Sequence, residues 1–285
     1  MTQISQFLPQ KLVKGEIKKY IEPFLGGGAV FFYIANNYHV QEWFLSDINV
    51  EIVIAYKTIQ KNVNDLIDVL SEIENKYLAG DEIDRKEYFY QIRSHFNSHG
   101  NTLNYQNYNS EWIERTAQII FLNKTCFNGL FRVNSQGKFN VPIGKYKNPK
   151  ICDRQNLQAV SLVLQNAEIR HQDFSDWKKL IDDHTFIYFD PPYRPLNKTS
   201  NFTTYSQQAF NNDEQIRLRD FFQYAHQQGA LLMLSNSDPK NQDIEDDFFE
   251  VAYHGYSIER VKAARSINSN SSKRQAINEL LIMNY

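Results

Sequence analysis

The chain has 285 residues, of which 42% are hydrophobic and 22% charged, and its formal net charge is −2. This composition is typical of a globular protein with one large domain, or with a domain that carries an insertion. No run approaches the roughly 18 apolar residues of a membrane-spanning helix, and the N-terminus lacks the apolar run of a signal peptide. Cys126 and Cys152 are too few for a disulfide framework and lack the spacing of zinc ligands. We therefore expect a cytoplasmic protein that holds no metal ion.

Strands and helices alternate in the first 60 residues. The segment KKYIEPF at 18–24 predicts a buried strand, which leads into three glycines and then into a helix from Ala29. Residues 42–47 predict a second strand, and the apolar spacing from residue 48 predicts a second helix.

The alternation stops between about residues 61 and 165. This region contains helical patterns near 62–78 and 111–125 and an Asn- and Tyr-rich connector around 97–110. Its segment 124–152 carries six basic residues and no acid. A second basic stretch, 259–274, holds five basic residues and one acid. Each run alone is equally well explained as a solvated loop, but together they favour a nucleic-acid surface. We expect an inserted, mainly helical domain at 61–165.

The alternation resumes after residue 165. Apolar runs predict strands near 167–171, 185–190, 230–236, 249–255 and 278–284, and a helix at 212–228. Strands separated by helices predict an α/β fold with a doubly wound, mostly parallel sheet, which binds ligands at the carboxyl ends of its strands.

The glycines Gly26, Gly27 and Gly28 lie where the first strand meets its helix. Such a turn lets a ligand approach the backbone, and the helix N-terminus faces that ligand. Asp47 follows the second strand, 21 residues beyond Gly26, where an acid commonly binds the hydroxyls of an adenosine ribose. The alternative is a plain glycine loop with Asp47 as the N-cap of a helix beginning at Ile48.

The run Asp190-Pro191-Pro192-Tyr193 follows another predicted strand. Two prolines force extended backbone and end the strand, so this segment is at least a turn. The same geometry can direct the Asp190 carboxylate and a main-chain carbonyl at one point, with the Tyr193 ring above it. Two acceptors and a flat ring suit the amino group of a planar base.

The chain resembles the DNA adenine methyltransferases of the Dam and DpnII-modification type over nearly its whole length. The resemblance is carried by "EPFLGGGAVFF", "SDIN", "FNGLFRVNSQGKFNVPIGKYKNPK", "FDPPYRPLNKTSNFTTY", "LLMLSNSD" and "ARSINSNSSKR", in that order. It implies a Rossmann-like methyltransferase fold and transfer of a methyl group from S-adenosylmethionine to the exocyclic amino nitrogen of adenine. The implied substrate is a base flipped out of duplex DNA, usually within GATC.

The resemblance also implies the roles of particular residues. It places the S-adenosylmethionine-binding catalytic domain at 1–60 and 166–285 and the target-recognition domain at 61–165. The cofactor site comprises Glu22, Pro23, Phe24, Gly26, Gly28, Asp47, Ile48 and Asp190, and the catalytic site comprises Asp190, Pro191, Pro192 and Tyr193. The implied DNA-binding residues are Phe127, Asn128, Leu130, Arg132, Asn134, Pro142, Lys145, Tyr146, Lys147, Arg265, Ser266 and Asn268.

Among these DNA-binding residues, Phe127 and Asn128 correspond to those that fill or contact the gap left by the flipped base. Arg132 is a candidate for a bidentate contact with guanine, whereas Lys147 and the segment around Ser266 are candidates for phosphate contacts. For each single side chain, a plain surface position is an equally good interpretation.

One segment of the family pattern is absent before "QFLP", namely F-x-K-W-x-G-G-K, which would lie before or across Met1. We therefore expect weak binding of S-adenosylmethionine and low activity for this chain. Two alternatives stay open: an inactive or weakly active DNA-binding relic, and an amino-methyltransferase that acts on RNA or on another sequence. A cognate restriction system is a possible partner, and the sequence indicates no obligate protein partner.

Overall fold

The computed structural model describes residues 3–100, 103–134, 136–195, 210–263 and 277–285. The described residues form two compact units. The first unit contains residues up to Ile48 and from Asn166 onward, and the second contains those from Asn49 to Gln165. The roles assigned above to 1–60 with 166–285 and to 61–165 stay predictions.

The first unit is built on a single sheet. Its strands are β1 (Lys19–Glu22), β2 (Glu42–Asp47), β3 (Ala167–His171), β4 (Thr185–Phe189), β5 (Leu231–Ser237), β6 (Ser257–Ala263) and β7 (Ile277–Met283). They lie in the order β3-β2-β1-β4-β5-β7-β6. Strands β1 to β5 are parallel, and β7 is antiparallel to both β5 and β6. The predicted mostly parallel, Rossmann-like α/β sheet is confirmed.

The described part of the chain also contains eight α-helices and four short 3-10 helices, and the α-helices are numbered in chain order. They are α1 (Gln10–Val13), α2 (Ala29–Asn37), α3 (Val50–Ala79), α4 (Glu82–His99), α5 (Glu111–Thr125), α6 (Arg154–Leu164), α7 (Asn212–Gln227) and α8 (Phe248–Ala252). None of these helices combines the length and the apolar character needed to cross a bilayer.

The core of the first unit surrounds the central strands. All five residues of β4 are buried, as expected for a parallel strand covered on both faces. Phe189 on β4 packs with Phe221 and Phe222 of α7 in an apolar cluster that also contains Trp177. This packing holds the carboxyl end of β4, and therefore the residues that follow it, in a fixed position.

The strand predicted at 249–255 is wrong. Residues Phe248–Ala252 form the short helix α8, in which Phe249 and Ala252 are buried in the core of the first unit. A spacing of three residues places both side chains on one face of a helix, whereas a strand would direct them to opposite faces. The edge strand next to β7 is β6, which begins at Ser257.

The second unit is helical, but the bounds of its helices differ from those predicted. Helix α3 runs through two predicted helices and kinks at Asn62, where φ is −137° and ψ is 46°. It packs against α5 and α6. Helix α4 was not predicted: it begins after Asp81, whose side chain accepts hydrogen bonds from two backbone N–H groups, and it runs to His99, inside the expected connector.

Candidate active site

The carboxyl ends of neighbouring parallel strands bring three acids to one edge of the sheet. Glu22 is the last residue of β1, Asp47 is the last residue of β2, and Asp190 directly follows β4. Strand β1 pairs with both β2 and β4. Three residues that are distant in sequence therefore lie at the edge where a doubly wound sheet binds its ligand.

The glycine loop between β1 and α2 depends on left-handed backbone. Gly26 has φ +46° and Gly28 has φ +64°, values that favour glycine over any other residue. The Gly26 N–H donates to Asp47 Oδ2 at 2.9 Å. Asp47 therefore fixes the loop. It is not the N-cap of the next helix, because Asn49 caps α3 through a 3.1 Å bond from the Glu51 N–H.

Three other residues predicted for the cofactor site differ in exposure. Pro23 is buried. Phe24 contacts the ring of Phe174 at a centroid distance of 5.4 Å and is part of the apolar packing. Ile48, directly after Asp47, is 55% exposed. It offers apolar surface at the carboxyl edge of the sheet.

Glu22 is buried beside the other acids. It is only 2% exposed and accepts a hydrogen bond from the Tyr20 hydroxyl. Burial is the main cause that raises the pKa of Glu22 to about 8, and the nearby Asp190 acts in the same direction. The hydrogen bonds from Tyr20 and from the backbone of Phe31 oppose that shift.

Asp190 lies at the end of a chain of hydroxyl groups. Ser235 Oγ, on the neighbouring strand β5, donates to Asp190 Oδ1 at 2.8 Å, and the Tyr188 hydroxyl donates to Ser235 Oγ at 3.1 Å. The Asp190 side chain is open to solvent, yet protein atoms crowd around it. This desolvation raises the pKa of Asp190 above its ordinary value, while the Ser235 hydrogen bond lowers it.

The two prolines and Tyr193 continue from Asp190. The carbonyl of Pro192 accepts a hydrogen bond from the Gln215 side chain at 3.1 Å. The carbonyl of Pro191 accepts none from the residues that the structure describes. Tyr193 is 37% exposed, and its hydroxyl makes a long contact of 3.5 Å with Glu279 Oε2. The Asp190 carboxylate, one carbonyl and one exposed ring thus come from four consecutive residues.

The polar end of β5 holds this segment in place, and sequence reasoning did not assign it a role. Asn236 Oδ1 accepts the Arg194 N–H at 3.0 Å, and Ser237 Oγ donates to the Arg194 carbonyl at 2.7 Å. The Arg194 guanidinium pairs with Asp246 at 2.6 Å. One signal was available: the polar run Ser235-Asn236-Ser237 ends an otherwise apolar strand and is buried.

The second unit carries the described DNA-binding candidates on a loop and hairpin. The Phe127 N–H donates to the Pro142 carbonyl at 2.8 Å, so these two residues lie together. Phe127 is 55% exposed, and Asn128 has φ +58°. Leu130 is half-buried, whereas Lys145, Tyr146 and Lys147 are exposed. The segment therefore presents an aromatic ring and basic groups to solvent.

The hairpin itself contains Arg132 and Asn134. Arg132 Nε donates to Asn140 Oδ1 at 3.0 Å, and Asn134 Oδ1 accepts the backbone N–H groups of Gln136 and Lys138. The Asn134 carbonyl oxygen therefore stabilises the turn, whereas the Arg132 guanidinium keeps donors beyond the Nε–H that bonds Asn140. The remaining candidates, Arg265, Ser266 and Asn268, lie outside the described residues.

Known proteins resemble this chain over its full length. The family model of the D12 class N6 adenine-specific DNA methyltransferases matches residues 1–267. The Type II methyltransferase M.MjaIII of Methanocaldococcus jannaschii is 48% identical, covering 100% of this chain and 94% of that protein. The Type II methyltransferase M1.LlaDCHI of Lactococcus lactis is 36% identical, over 98% and 92%.

A third relative is the DNA adenine methylase of Haemophilus influenzae, which is 32% identical over 92% of this chain and 82% of its own length. The matches cover both units, including the strand ends that carry Glu22, Asp47 and Asp190. The chain therefore belongs to the D12 class of N6 adenine-specific DNA methyltransferases.

Proposed function

We propose that this enzyme transfers a methyl group from S-adenosylmethionine to the exocyclic nitrogen of an adenine that is flipped out of duplex DNA, within GATC. The observation that carries the proposal is the segment after β4. There the hydrogen-bonded Asp190 carboxylate, the Pro191 carbonyl and the exposed Tyr193 ring lie beside the glycine loop of β1.

The residues at the carboxyl edge of the sheet fit the cofactor. An added Cβ at Gly26 or Gly27 would meet no heavy atom within 4 Å, so a ligand can approach the loop backbone. Asp47 is next to this loop. The side-chain amide nitrogen of Gln172, one residue past β3, is buried without a hydrogen-bond partner among the described residues.

We assign Glu22, Asp47 and the loop Gly26–Gly28 to holding S-adenosylmethionine, with Pro23, Phe24 and Ile48 as its surroundings. When bound, S-adenosylmethionine supplies an electrophilic methyl group on a positively charged sulfur. The carboxylate of Asp47 favours a cationic ligand over an anionic one, whereas Glu22, whose pKa is about 8, contributes hydrogen-bonding groups more than charge.

The residues after β4 act on the adenine. Asp190 and the Pro191 carbonyl accept hydrogen bonds from the two N–H groups of the adenine amino group, which directs the nitrogen electron pair away from the ring and makes it available for bond formation. As that nitrogen gains positive charge, the Asp190 carboxylate stabilises it where the charge develops. Pro192 fixes the backbone, and the Tyr193 ring stacks on the base.

Base flipping costs a few kcal/mol of stacking and pairing. We propose that the Tyr193 ring replaces the lost stacking on the flipped base. We propose that Phe127 and Asn128 occupy or contact the gap in the duplex. Leu130, Arg132, Asn134, Pro142 and Lys145 form the recognition hairpin, while Tyr146, Lys147, Arg265, Ser266 and Asn268 hold phosphates. The GATC preference rests on the resemblance of this segment to the Dam-type enzymes.

The test is methyl transfer from labelled S-adenosylmethionine to matched duplexes with and without GATC, followed by nucleoside analysis for N6-methyladenine. We expect Asp190→Ala to lower turnover by orders of magnitude with little change in DNA affinity. The matched control is Asp183→Ala, which removes the same charge from an exposed turn and should leave turnover unchanged. Wild-type turnover in Asp190→Ala, or methylation of cytosine only, contradicts the proposal.

Two further measurements test the alternative functions. Calorimetry measures the affinity for S-adenosylmethionine, and a protein that binds DNA without detectable binding of S-adenosylmethionine would favour the DNA-binding relic. Preference for an RNA of equal sequence would favour the RNA enzyme. Because the proposed substrate is DNA and two relatives are named Type II methyltransferases, we further propose a cytoplasmic enzyme that protects DNA from a cognate restriction endonuclease.

A further inference from the structure

We propose that Ser235, supported by Tyr188, is a positioning residue that fixes the Asp190 carboxylate for its contact with the adenine amino group. The inference rests on the proposed function, because it assigns a purpose to the orientation of Asp190. It concerns two residues for which the sequence indicated no role in the site.

The hydrogen-bond geometry determines where the Ser235 proton points. A serine hydroxyl has a single hydrogen to donate. Because the Tyr188 hydroxyl donates to Ser235 Oγ at 3.1 Å, the Ser235 hydrogen must be directed elsewhere. Asp190 Oδ1, at 2.8 Å, is a closer acceptor than the Phe189 carbonyl at 3.4 Å. The chain therefore runs from Tyr188 through Ser235 to Asp190.

The two supporting residues stand on rigid elements. Tyr188 and Ser235 are each only 2% exposed, and they lie on β4 and β5, which pair in parallel at the centre of the sheet. Asp190, in contrast, lies one residue beyond β4 with its side chain open to solvent. Without a partner, its carboxylate could rotate among several side-chain conformations. The Ser235 hydrogen bond holds Oδ1, which leaves Oδ2 to accept from the substrate.

The Ser235 hydroxyl has a second role, which is to stabilise the ionised form of Asp190 where protein atoms exclude water. The titratable groups that face Asp190 from the packed elements are Tyr20 and Glu22 on β1, Tyr188 on β4, Tyr193, and Glu279 on β7. The pKa of each of these groups is raised, with Asp190 among the causes, so they stay protonated and neutral while Asp190 ionises. Desolvation is what disfavours the Asp190 carboxylate. Ser235 is the donor that stabilises the ionised form of Asp190.

The experiment compares five proteins: wild type, Ser235→Ala, Ser235→Thr, Tyr188→Phe and Thr185→Val. Thr185→Val is the matched control, because Thr185 is a buried hydroxyl that donates to Asp182 at 2.9 Å from the opposite end of β4. The first measurement is kcat and KM for duplex DNA across pH. The second is the pKa of Asp190 by carboxyl-carbon NMR in protein without ligands, with Asp190→Asn to assign the resonance.

We expect Ser235→Ala to lower kcat about 10- to 100-fold, the range associated with a small misplacement of a reacting group, with KM little changed. In Ser235→Ala the pKa of Asp190 should rise. The acid limb of the kcat profile of that variant should move to higher pH with it. Tyr188→Phe should change both quantities in the same direction by less. Ser235→Thr should restore most of kcat, and Thr185→Val should match wild type.

The outcomes separate this inference from the proposed function. An inactive wild type contradicts the proposed function, and the NMR measurement then still tests the hydrogen-bond chain. An active wild type with unchanged kcat and an unchanged pKa of Asp190 in Ser235→Ala overturns the positioning role. If Ser235→Ala does not fold, Tyr188→Phe decides: a wild-type pH profile in that variant overturns the inference.

Discussion

Glu22 makes the stability of the protein depend on pH in a direction opposite to that of most carboxylates. Its side chain is buried next to Tyr20 and near Asp190, and its pKa is raised from the ordinary 4.5 to about 8. Replacing Glu22 by Gln keeps the shape and one acceptor oxygen but removes the ionisable group. The variant therefore isolates the free energy of placing a negative charge at this position.

The sign follows from the raised pKa. Below about pH 4.5 the carboxyl is protonated in both states, so its contribution to stability is fully present. As pH rises toward 8, the unfolded chain releases the proton but the folded protein retains it, and stability is lost. The gap between 4.5 and about 8 corresponds to about 2 to 5 kcal/mol. That amount is a large fraction of the stability of a typical domain.

The measurement is urea denaturation of the protein without ligands, for wild type and Glu22→Gln, at intervals from pH 4.5 to 9. Because the two units can unfold separately, a Trp112→Phe background restricts the fluorescence signal to Trp43 and Trp177 of the first unit. Glu245→Gln, on the exposed segment before α8, controls for the loss of one acid.

We expect the stability of wild type relative to Glu22→Gln to fall by about 2 to 5 kcal/mol between pH 4.5 and 8 and then to level off. Parallel curves for the two proteins over that range would refute the reasoning, because they would show that Glu22 titrates alike in the folded and unfolded states. A relative gain in wild-type stability with pH would show that the carboxylate is favoured by the fold.

Three further predictions test individual contacts. Tyr193→Phe keeps the ring that stacks on the flipped base but loses the weak contact with Glu279 on β7, so turnover should fall only a few-fold. Tyr193→Ala should lose the roughly 1 to 3 kcal/mol of stacking on the base. Equal kinetics for the two variants would exclude a stacking role for Tyr193. Gly144→Ala places a methyl group 2.8 Å from the Cys126 carbonyl oxygen, so the free energy of unfolding measured in urea should fall by about 1 to 3 kcal/mol. An unchanged urea midpoint would contradict this packing. Arg132→Ala should relax the preference for GATC by about 1 to 3 kcal/mol. Lys147→Ala should weaken binding to every duplex and lower by about 1 the slope of log binding constant against log salt concentration. Binding titrations that show an unchanged GATC preference for the Arg132 variant would exclude Arg132 as a residue that reads a base.

Local pattern was sufficient for the elements that carry the site. The strands β2 and β3 were predicted with the bounds that the structure shows, and β4 and β5 within one residue at each end. Strands β2, β4 and β5 are apolar runs and β3 alternates between buried and exposed residues, so the position of each is specified by a few consecutive residues. Because parallel strands present their carboxyl ends at one edge of a sheet, the order of strands and helices is enough to predict Asp47 and Asp190 at that edge.

Several elements were not assigned from local pattern, namely α1, α4, α6, α8 and β6, and α4 and α8 show the reason. Helix α4 is largely polar, with only Phe89 and Phe96 buried, so its apolar periodicity is weak. Residues 248–252 offer an apolar run that is too short to distinguish a helix from a strand. The contact of Phe249 with the core decides for the helix.

The amino-acid sequence alone determined the strands β1 to β5 and β7, the glycine turn and the acid at the end of β4, because each depends on residues that are neighbours in the chain. It could not show that Ser235 donates to Asp190, since these residues are 45 positions apart and meet only because β4 and β5 pair. The same is true of the raised pKa of Glu22, which depends on burial and on Asp190. Orientation and charge at the site are decided by the tertiary structure, because both depend on which distant groups surround a side chain and how much water they exclude.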